Sequence, residues 1–407
     1  MKLVNLFKAA PGMVLAENVK NKDGRHLMSA GTLLGKNELR ILKMWGIPEI
    51  SVEEGSKDNV REKGGENEAK IDRFIRQRFK YNSIKDPVIS EISDLAKEWF
   101  AKHPERIETL EARLKANPAN LISRWDGNKV DPQALLEDKV SLPALPQIYS
   151  EISAAIKDPA CSGKEIADIV SKDTSLSATL LKIVNSAFYG VPEEIDSLID
   201  AALTLGTHQI CTLALGITVI NYFKEMPGEA LDMEAFWRHS LGCAVMARNL
   251  ATHIPEVDGE RVFIGGLLHD IGRLIFLTHF PKAAMAALGK SGKLKLSLDK
   301  IEPGLFDIDH ALFGSQLADT WNFSPRISGL IRDHHKGFKE TPDKEVAVVY
   351  FSNWMVSVLG IGFSGEILLP KLNKNAWAAM AISTGTLEPV IRQTDRQVSE
   401  AVRFFYG

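Results

Sequence analysis

The sequence predicts a mainly α-helical protein, an all-α helical bundle with a small α/β N-terminal module and a helical connector. Three observations support this fold class. Apolar residues recur at helical spacing almost throughout the chain beyond Leu142. Strand-like runs flanked by turn residues are confined to the N-terminal part. Hydrophobic residues make up 45% and charged residues 25% of the 407 residues, which is typical of globular chains. At roughly 100–200 residues per domain, this length allows about two to four domains.

Residues 1–54 are predicted to form the small α/β module. Residues 12–16 follow a turn and predict a strand, the Asp23-Gly24 pair is typical of a hairpin turn, and residues 47–52 predict a final strand. No chemical constellation is found in this segment.

Residues 55–70 are predicted to form a charged flexible linker, and residues 71–138 a helical connector. Ten of the eighteen residues at 53–70 are charged, and such a composition buries too little apolar surface to fold alone. In the connector, Pro87 and Pro104 are placed to begin helices.

Residues 139–338 are predicted to form one helical domain, and residues 339–407 to supply C-terminal helices that complete the bundle. The first predicted helix of the 139–338 domain carries an apolar stripe that begins at Ile148. Asp173 is a predicted N-cap of a later helix in the same domain. The apolar stretch at 202–223 contains too many polar side chains for a lone membrane span, among them Thr204, His208, Gln209, Thr212, Thr218 and Asn221. It therefore predicts a buried core helix.

Charge, cysteine content and the N-terminus exclude several classes of protein. The formal net charge is −3, which argues against a protein that coats nucleic acid, since phosphate binding favours a basic excess. The three cysteines are far apart and form no CxxC pair, so neither a disulfide framework nor a thiolate zinc site is expected. The N-terminus is no convincing signal peptide, and a cytoplasmic location is expected.

The string GLLHDIGR at 266–273 carries the main chemical signal. A neutral imidazole and a carboxylate, here His269 and Asp270, suit a divalent ion that activates water. Gly272 would let another backbone or a ligand approach closely. Further histidines lie on, or at the ends of, other predicted helices, and they are His239, His310, His334 and His335. These side chains either converge on one cleft as ligands or are hydrogen-bonded core residues.

Several further motifs occur in a fixed order. They are LPALP at 142–146, IVSKD at 169–173, LLKIVNSAFYG at 180–190, IDAALTLG at 199–206, WRHS at 237–240, GLLHDIGR at 266–273, ADTWNF at 318–323 and the His334-His335 pair. In this order they resemble the HDOD domain, a bacterial signalling relative of the HD superfamily of metal-dependent phosphohydrolases. The N-terminal module resembles one found ahead of HD-GYP signalling domains.

The resemblance implies a set of site residues. His239, His269 and Asp270 match the first three metal ligands of the superfamily, and Asp270 would be catalytic if the protein is active. Asn353 stands at the fourth position, where a carboxylate is expected, and an amide is a weaker ligand. The second-ion or phosphate-binding residues implied are His310, His334, His335 and Arg273. Lys336-Gly337-Phe338 follows in place of the Gly-Tyr-Pro continuation, so cyclic di-GMP phosphodiesterase activity is not expected.

Two functions from different classes follow. The first is a bacterial signal-transduction or regulatory protein whose HDOD domain is a protein-interaction or ligand-sensing module without turnover. The alternative is a metal-dependent phosphohydrolase acting on a nucleotide or cyclic nucleotide, so whether the chain is an enzyme stays open. The implied cofactor is one divalent metal ion (Mn, Fe, Zn or Mg), or none. The expected partners are signalling proteins and a nucleotide or cyclic nucleotide whose phosphate Arg273 and Lys336 would contact, with no nucleic acid and no membrane span.

Overall fold

The structure is a computed structural model that divides into two compact units. The described residues are 2–6, 9, 12–20, 26–35, 38–39, 41–42, 47–53, 56–115, 127–137, 147–158, 160–186, 189–223, 232–336 and 343–406. The first unit comprises Met1–Gln77 and Lys97–His103, and the second comprises Arg78–Ala96 and Pro104–Gly407. Several predicted features lie outside the described residues, namely the Asp23-Gly24 turn, the LPALP motif, Ala187-Phe188 and Gly337-Phe338.

The first unit contains two small antiparallel strand pairs. Strand β1 (Lys2–Asn5) pairs with β4 (Glu49–Val52), and β2 (Val19–Lys20) pairs with β3 (His26–Met28). The strand predicted at 12–16 contributes only isolated bridges, because Val14 and Leu15 pair with different partners. A buried core joins these elements, and it consists of Leu6, Met13, Leu15, Leu34, Leu39, Leu42, Ile47, Ile50 and Val52.

The helices carry the rest of the described fold. They are α1 (Ser56–Arg78), α2 (Pro87–Lys102), α3 (Pro104–Lys115), α4 (Gln133–Glu137), α5 (Gln147–Lys157), α6 (Gly163–Val170), α7 (Thr174–Val184), α8 (Leu198–Leu205), α9 (Thr207–Phe223), α10 (Met233–Ala251), α11 (Gly259–Leu268), α12 (Ile271–His279), α13 (Pro281–Leu294), α14 (Leu298–Ile301), α15 (Pro303–Phe306), α16 (His310–Thr320), α17 (Pro325–Asp333), α18 (Lys344–Leu359), α19 (Lys374–Met380) and α20 (Leu387–Tyr406). The fold is therefore mainly α-helical, as predicted.

The segment at 55–70 differs from the predicted flexible linker, because α1 runs through it without a break. Low hydropathy prevents such a segment from forming a core, but it does not prevent a helix. Glu, Lys, Arg and Ala all have high helix propensity, and this outweighs the cost of Gly64 and Gly65.

Sequence-encoded caps begin several of the helices. The Asp173 side chain accepts a hydrogen bond of 2.9 Å from the backbone N–H of Leu176, as predicted. Ser162 and Glu165 form a reciprocal capping box at the start of α6. Pro87 and Pro104 stand at the first positions of α2 and α3, where the missing N–H of proline costs nothing.

The apolar stretch at 202–223 forms the end of α8 and the whole of α9, which bend by 119° relative to each other. Helix α9 is largely buried, as predicted. Among the described residues, Gly259–His279 is the segment that is by itself long and apolar enough to span a membrane, and 89% of its most apolar window is buried inside the bundle. Such extensive burial is typical of a helix in the core of a folded domain. The bent pair of α8 and α9 passes the same test when the two helices are taken together.

Candidate metal centre

The His269-Asp270 pair lies at the junction between α11 and α12. Helix α11 ends at Leu268, and Asp270 occupies the N-cap position of α12. An N-cap aspartate ordinarily accepts a hydrogen bond from a backbone N–H in the first turn of its helix, but the Asp270 carboxylate accepts none from the backbone of α12. The carboxylate is therefore available to groups on other helices.

Two glycines bring neighbouring helices close to this junction. A Cβ atom on Gly266 would lie 2.9 Å from the backbone of Ala244, which is on α10 with His239. A Cβ atom on Gly272 would lie 2.1 Å from the carbonyl oxygen of His310 at the start of α16. Only glycine permits these approaches, and the predicted role of Gly272 is confirmed.

Backbone hydrogen bonds orient two imidazoles of the cluster. Nδ1–H of His269 donates to the carbonyl of Gly266 at 2.7 Å, and Nδ1–H of His334 donates to the carbonyl of Ile331 at 2.6 Å. In its neutral form, each ring therefore carries its proton on Nδ1 and presents the lone pair of Nε2 to the interior. Both Nε2 atoms are buried and have no hydrogen-bond partner among the described residues.

The lone pair of His269 faces a carboxylate. Nε2 of His269 lies 3.2 Å from Oδ2 of Asp270, and Nε2 of His334 lies 3.7 Å from Oδ1 of the same residue. In the neutral form of these rings, neither nitrogen has a proton to place between the two atoms, so the facing lone pairs would repel each other. A cation placed among them would remove the repulsion, and pairs of lone-pair donors this close are characteristic of a metal site.

The first ligand group combines side chains of α10, the helix junction and α18. Nε2 of His239 lies 3.9 Å from Oδ2 of Asp270 and 3.1 Å from Oδ1 of Asn353. Together with His269, these are the four residues that the resemblance implies as ligands. Cys243, one turn after His239, adds its sulfur 3.6 Å from Nε2 of His239. Atoms bound to one ion at about 2.1 Å lie about 3 to 3.5 Å apart, so modest side-chain adjustment brings this group to ligand spacing.

The second ligand group shares Asp270. Nε2 of His310 lies 3.2 Å from Oδ1 of Asp270 and 2.9 Å from Nε2 of His335. With His334, the four residues offer ligand atoms that all lie within 4.8 Å of one another. The histidines predicted on separate helices therefore converge at one place.

Arg273 reaches into the second group from α12. Nη1 donates to Oδ2 of Asp270 at 2.9 Å, and also to the carbonyl and hydroxyl oxygens of Ser364 at 3.1 and 2.9 Å. Nη2 lies 2.9 Å from Nε2 of His310. The side chain is only 4% exposed, so the guanidinium is held on several sides inside the protein.

Glu302 holds the outer side of His310. Its Oε2 accepts hydrogen bonds from Nδ1 of His310 at 2.5 Å and from the backbone N–H of the same residue at 2.8 Å. Burial and the Arg273 guanidinium lower the pKa of His310, but the facing Glu302 and Asp270 carboxylates outweigh them and raise that pKa to about 9. His310 therefore favours its protonated, positively charged form.

Two other imidazoles of the cluster, those of His239 and His334, favour the neutral form. Burial lowers the pKa of His239 to about 3, and burial with the neighbouring His269 lowers the pKa of His334 well below its ordinary value. Burial alone would raise the pKa of Asp270, but the Arg273 guanidinium and His269 hold it well below its ordinary value. His239 and His334 are thus neutral beside the ionised Asp270 carboxylate, which are the protonation states that metal ligands require.

The donor set fits one divalent ion of the zinc or first-row transition type, held by His239, His269 and Asp270. A cavity of about 220 Å³ adjoins the cluster. Its lining residues include Arg273, Lys300, His334, His335, Lys336, Tyr350, Asn353, Trp354, Glu366 and Lys371.

Comparison with known proteins identifies the helical domain around this cluster. Residues 142–337 match the family model of the HDOD domain. The chain contains an HDOD domain. An uncharacterised protein of Treponema pallidum is 24% identical over 235 residues, a match that covers 56% of this chain and 44% of that protein. The match therefore spans less than half the length of the curated relative.

Solved structures share the fold of the HDOD domain. An HDOD domain protein of unknown function from Geobacter sulfurreducens superposes with a TM-score of 0.54 at 24% identity, covering 67% of this chain and 96% of that one. A protein of Shewanella amazonensis described as a candidate phosphohydrolase gives a TM-score of 0.54 at 22% identity, covering 67% and 98%. A candidate signal transduction protein of Marinobacter aquaeolei gives 0.53 at 19%, covering 74% and 66%. At these identities the likeness concerns the fold alone.

Three residues of the HDOD site were missed from the sequence. Cys243 follows His239 by four residues on the same helix face, and this spacing is a signal that was available. Glu302 and Ser364 approach the cluster from separate segments, with no motif around them. Every predicted site residue lies in the cluster or its immediate wall.

Proposed function

We propose that the protein is a regulatory component of a bacterial signalling pathway, whose HDOD domain acts as a ligand-sensing or protein-interaction module without turnover. The observation that carries this proposal is the pairing of Asp270 with Arg273 at 2.9 Å. Asp270 is the sole carboxylate in the two ligand groups found among the described residues. The negative charge of Asp270, which a bound ion would need, is therefore already shared with the Arg273 guanidinium.

Asn353 weakens the case for hydrolysis further. Its amide oxygen lies where a second carboxylate would supply negative charge, 3.1 Å from Nε2 of His239. A neutral amide holds a divalent ion less firmly than a carboxylate does. The cluster therefore supports weak binding of an ion better than it supports sustained activation of water.

The basic side chains in the wall of the cavity beside the cluster support an anionic ligand, which would compete with Asp299 for Lys300 and with Asp333 for Lys336. Lys300, Lys336 and Lys371 line this cavity, and Trp354 and Tyr350 supply aromatic walls. Its volume of about 220 Å³ suits a phosphate group or a small part of a nucleotide. A nucleotide or cyclic nucleotide that places its phosphate here is the ligand class that we propose.

Exposed apolar side chains favour contact with a partner protein as well. Ile199 is 41% exposed and Leu203 is 77% exposed, one turn apart on α8. We propose a signalling protein as the partner for such a face, since adjoining exposed apolar side chains mark interaction sites.

The test is an assay of the purified full chain with added manganese against nucleoside phosphates, cyclic dinucleotides and a chromogenic phosphodiester. We expect no turnover above that of His269→Ala. Calorimetric titration with cyclic di-GMP and related nucleotides is expected to give binding that Lys371→Ala weakens. Turnover that His269→Ala abolishes would contradict the proposal.

A metal-dependent phosphohydrolase of the HD superfamily is the second candidate. It is favoured by the unpartnered Nε2 atoms of His269 and His334 and the unpartnered Oδ1 of Asp270. The chemistry that a divalent ion would supply in this site is polarisation of a phosphoryl oxygen and activation of water. For this candidate, turnover in the same assay should require manganese, zinc, iron or magnesium and should disappear with a chelator.

A further inference from the structure

We propose that a cavity away from the metal centre is a second ligand site, which takes a small uncharged ring compound with an amide-like edge. The cavity lies where α5 meets the N-terminal parts of α9, α11 and α17, and its volume is about 350 Å³. Small-molecule sites in proteins begin at about 300 Å³. The inference goes beyond the proposed function, because among the described residues this cavity shares none with the two metal-ligand groups or with the cavity beside them.

Two buried hydroxyl groups in the wall lack a hydrogen-bond partner among the described residues. They belong to Ser153 on α5, which is 8% exposed, and to Thr212 on α9, which is 5% exposed. Buried polar groups are ordinarily hydrogen-bonded. Thr218, further along α9, follows this rule, since its hydroxyl donates to the carbonyl of Ala214 at 2.8 Å. The hydroxyl groups of Ser153 and Thr212 are therefore free to bind a ligand in the cavity.

Apolar side chains form another part of the wall. Leu215 and Ile264 are buried, and Phe323 adds an aromatic ring whose edge-to-face contact with Tyr149, at 5.7 Å between centroids, holds it in place. A ligand would bury its apolar body against these side chains and turn its polar edge to the hydroxyl groups. Each hydroxyl group can both donate and accept, so an edge with a donor and an acceptor, as in an amide, matches the pair.

The two arginines in the wall are already paired with carboxylates. Nη1 of Arg261 donates to both carboxylate oxygens of Glu345 at 3.0 and 3.2 Å, and Nη2 donates to Oδ2 of Asp258 at 2.8 Å. Nη1 of Arg326 donates to Oδ2 of Asp343 at 2.9 Å. An anionic ligand would have to compete with these carboxylates.

The remaining carboxylate in the wall is paired as well. Oε1 of Glu260 lies 3.0 Å from Nε of Arg248, and Oε2 of Glu260 is buried, so it is not offered to a ligand in the cavity. His208 also lines the cavity and is exposed to solvent. A charged ligand would lose its hydration without gaining a free counter-charge, and this cost selects an uncharged compound.

The experiment compares four probes that share one ring and differ in polar character, namely benzamide, benzoate, benzylamine and toluene. Ligand-observed NMR titration of the full chain gives the dissociation constant of each. Benzamide is expected to bind more tightly than each of the others by about threefold or more, because it alone is uncharged and can pair with both hydroxyl groups.

Thr212→Val removes one hydroxyl group and keeps the shape of the side chain. It is expected to weaken benzamide binding by about threefold to tenfold and to leave toluene binding unchanged. Ser153→Ala should act in the same direction. Thr218→Val is the matched control, since it is the same change on the same helix outside the cavity wall, and benzamide affinity should not change.

Equal affinities for the four probes overturn the inference, as does an unchanged benzamide affinity in folded Thr212→Val. Absence of benzamide binding up to its solubility limit overturns it too. Should Thr212→Val fail to fold, wild-type crystals soaked in 4-bromobenzamide decide the question by anomalous scattering. A bromine peak in the cavity is expected, and its absence there overturns the inference. None of these measurements involves a metal ion or turnover, so failure of the proposed function would be seen separately.

Discussion

Single residues around Asp270 set the chemistry of the cluster. One carboxylate oxygen lies 3.2 Å from Nε2 of His269 and also accepts a hydrogen bond from the Arg273 guanidinium at 2.9 Å. An ion and an arginine thus compete for the same oxygen atom. The balance between them depends on how much negative charge the remaining ligands contribute, and Asn353 contributes none.

Replacing Asn353 by Asp should strengthen metal binding. The change adds a carboxylate 3.1 Å from Nε2 of His239 without altering side-chain volume appreciably. A second charged ligand is expected to lower the dissociation constant for manganese or zinc by about tenfold or more. Calorimetric titration measures it, and Asn353→Ala serves as the control that adds no charge. Equal affinities of Asn353→Asp and the wild type would show that Asn353 does not face a bound ion.

At the scale of helices, the site depends on how closely α12 packs against α16. The contact is a backbone-to-backbone approach at Gly272, which places Asp270 beside His310. The sequence indicated that Gly272 permits such an approach, and the helical periodicity located the helices themselves. It did not indicate that α16 is the helix that approaches.

Replacing Gly272 by Ala should destabilise the protein and disturb the cluster. Its Cβ would lie 2.1 Å from the carbonyl oxygen of His310, so α12 and α16 must separate. We expect a loss of about 2 to 4 kcal/mol in the free energy of unfolding, measured in urea. Gly304→Ala is the matched control, because nothing lies within 4 Å of its added Cβ. Similar losses for the two variants would contradict the close approach.

At the scale of the whole molecule, burying neutral histidines makes the fold sensitive to acid. His239 is 3% exposed, His334 is fully buried, and burial lowers the pKa of both, to about 3 for His239. Below about pH 6.5 the unfolded chain binds a proton on each residue that the folded chain does not bind. The unfolded state therefore binds more protons, and stability falls as the pH falls.

These two histidines are expected to lower the free energy of unfolding by about 2 to 3 kcal/mol on going from about pH 6 to about pH 5, since each contributes up to about 1.4 kcal/mol per pH unit. Urea unfolding with a chelator present measures it. The double variant His239→Gln with His334→Gln should show a slope about 2 to 3 kcal/mol per pH unit shallower. An unchanged slope in that variant would show that these two rings are not buried in neutral form.

The chain as a whole combines a small sheet-containing unit with a large helical one. The linker predicted at 55–70 contains a helix, and the division of the chain into the predicted domains stays a prediction. The HDOD domain, in contrast, is a finding, since its family match spans residues 142–337. Composition predicted that the segment at 55–70 cannot form a core, but it did not distinguish a charged helix from a flexible linker.

The sequence by itself determined the helical fold class, the caps such as Asp173, the HDOD motifs and the identity of the candidate ligands. These features are local, because helical periodicity, capping and motif order depend on residues that are close in the chain. Only the tertiary structure decided that His239, His269, His310 and His334 meet, and that Arg273 pairs with Asp270. Those contacts depend on packing between helices distant in sequence, where Gly266 and Gly272 allow backbones to approach. Glu302 and Ser364 belong to the same class, since their roles arise from the position of their segments and not from any pattern around them.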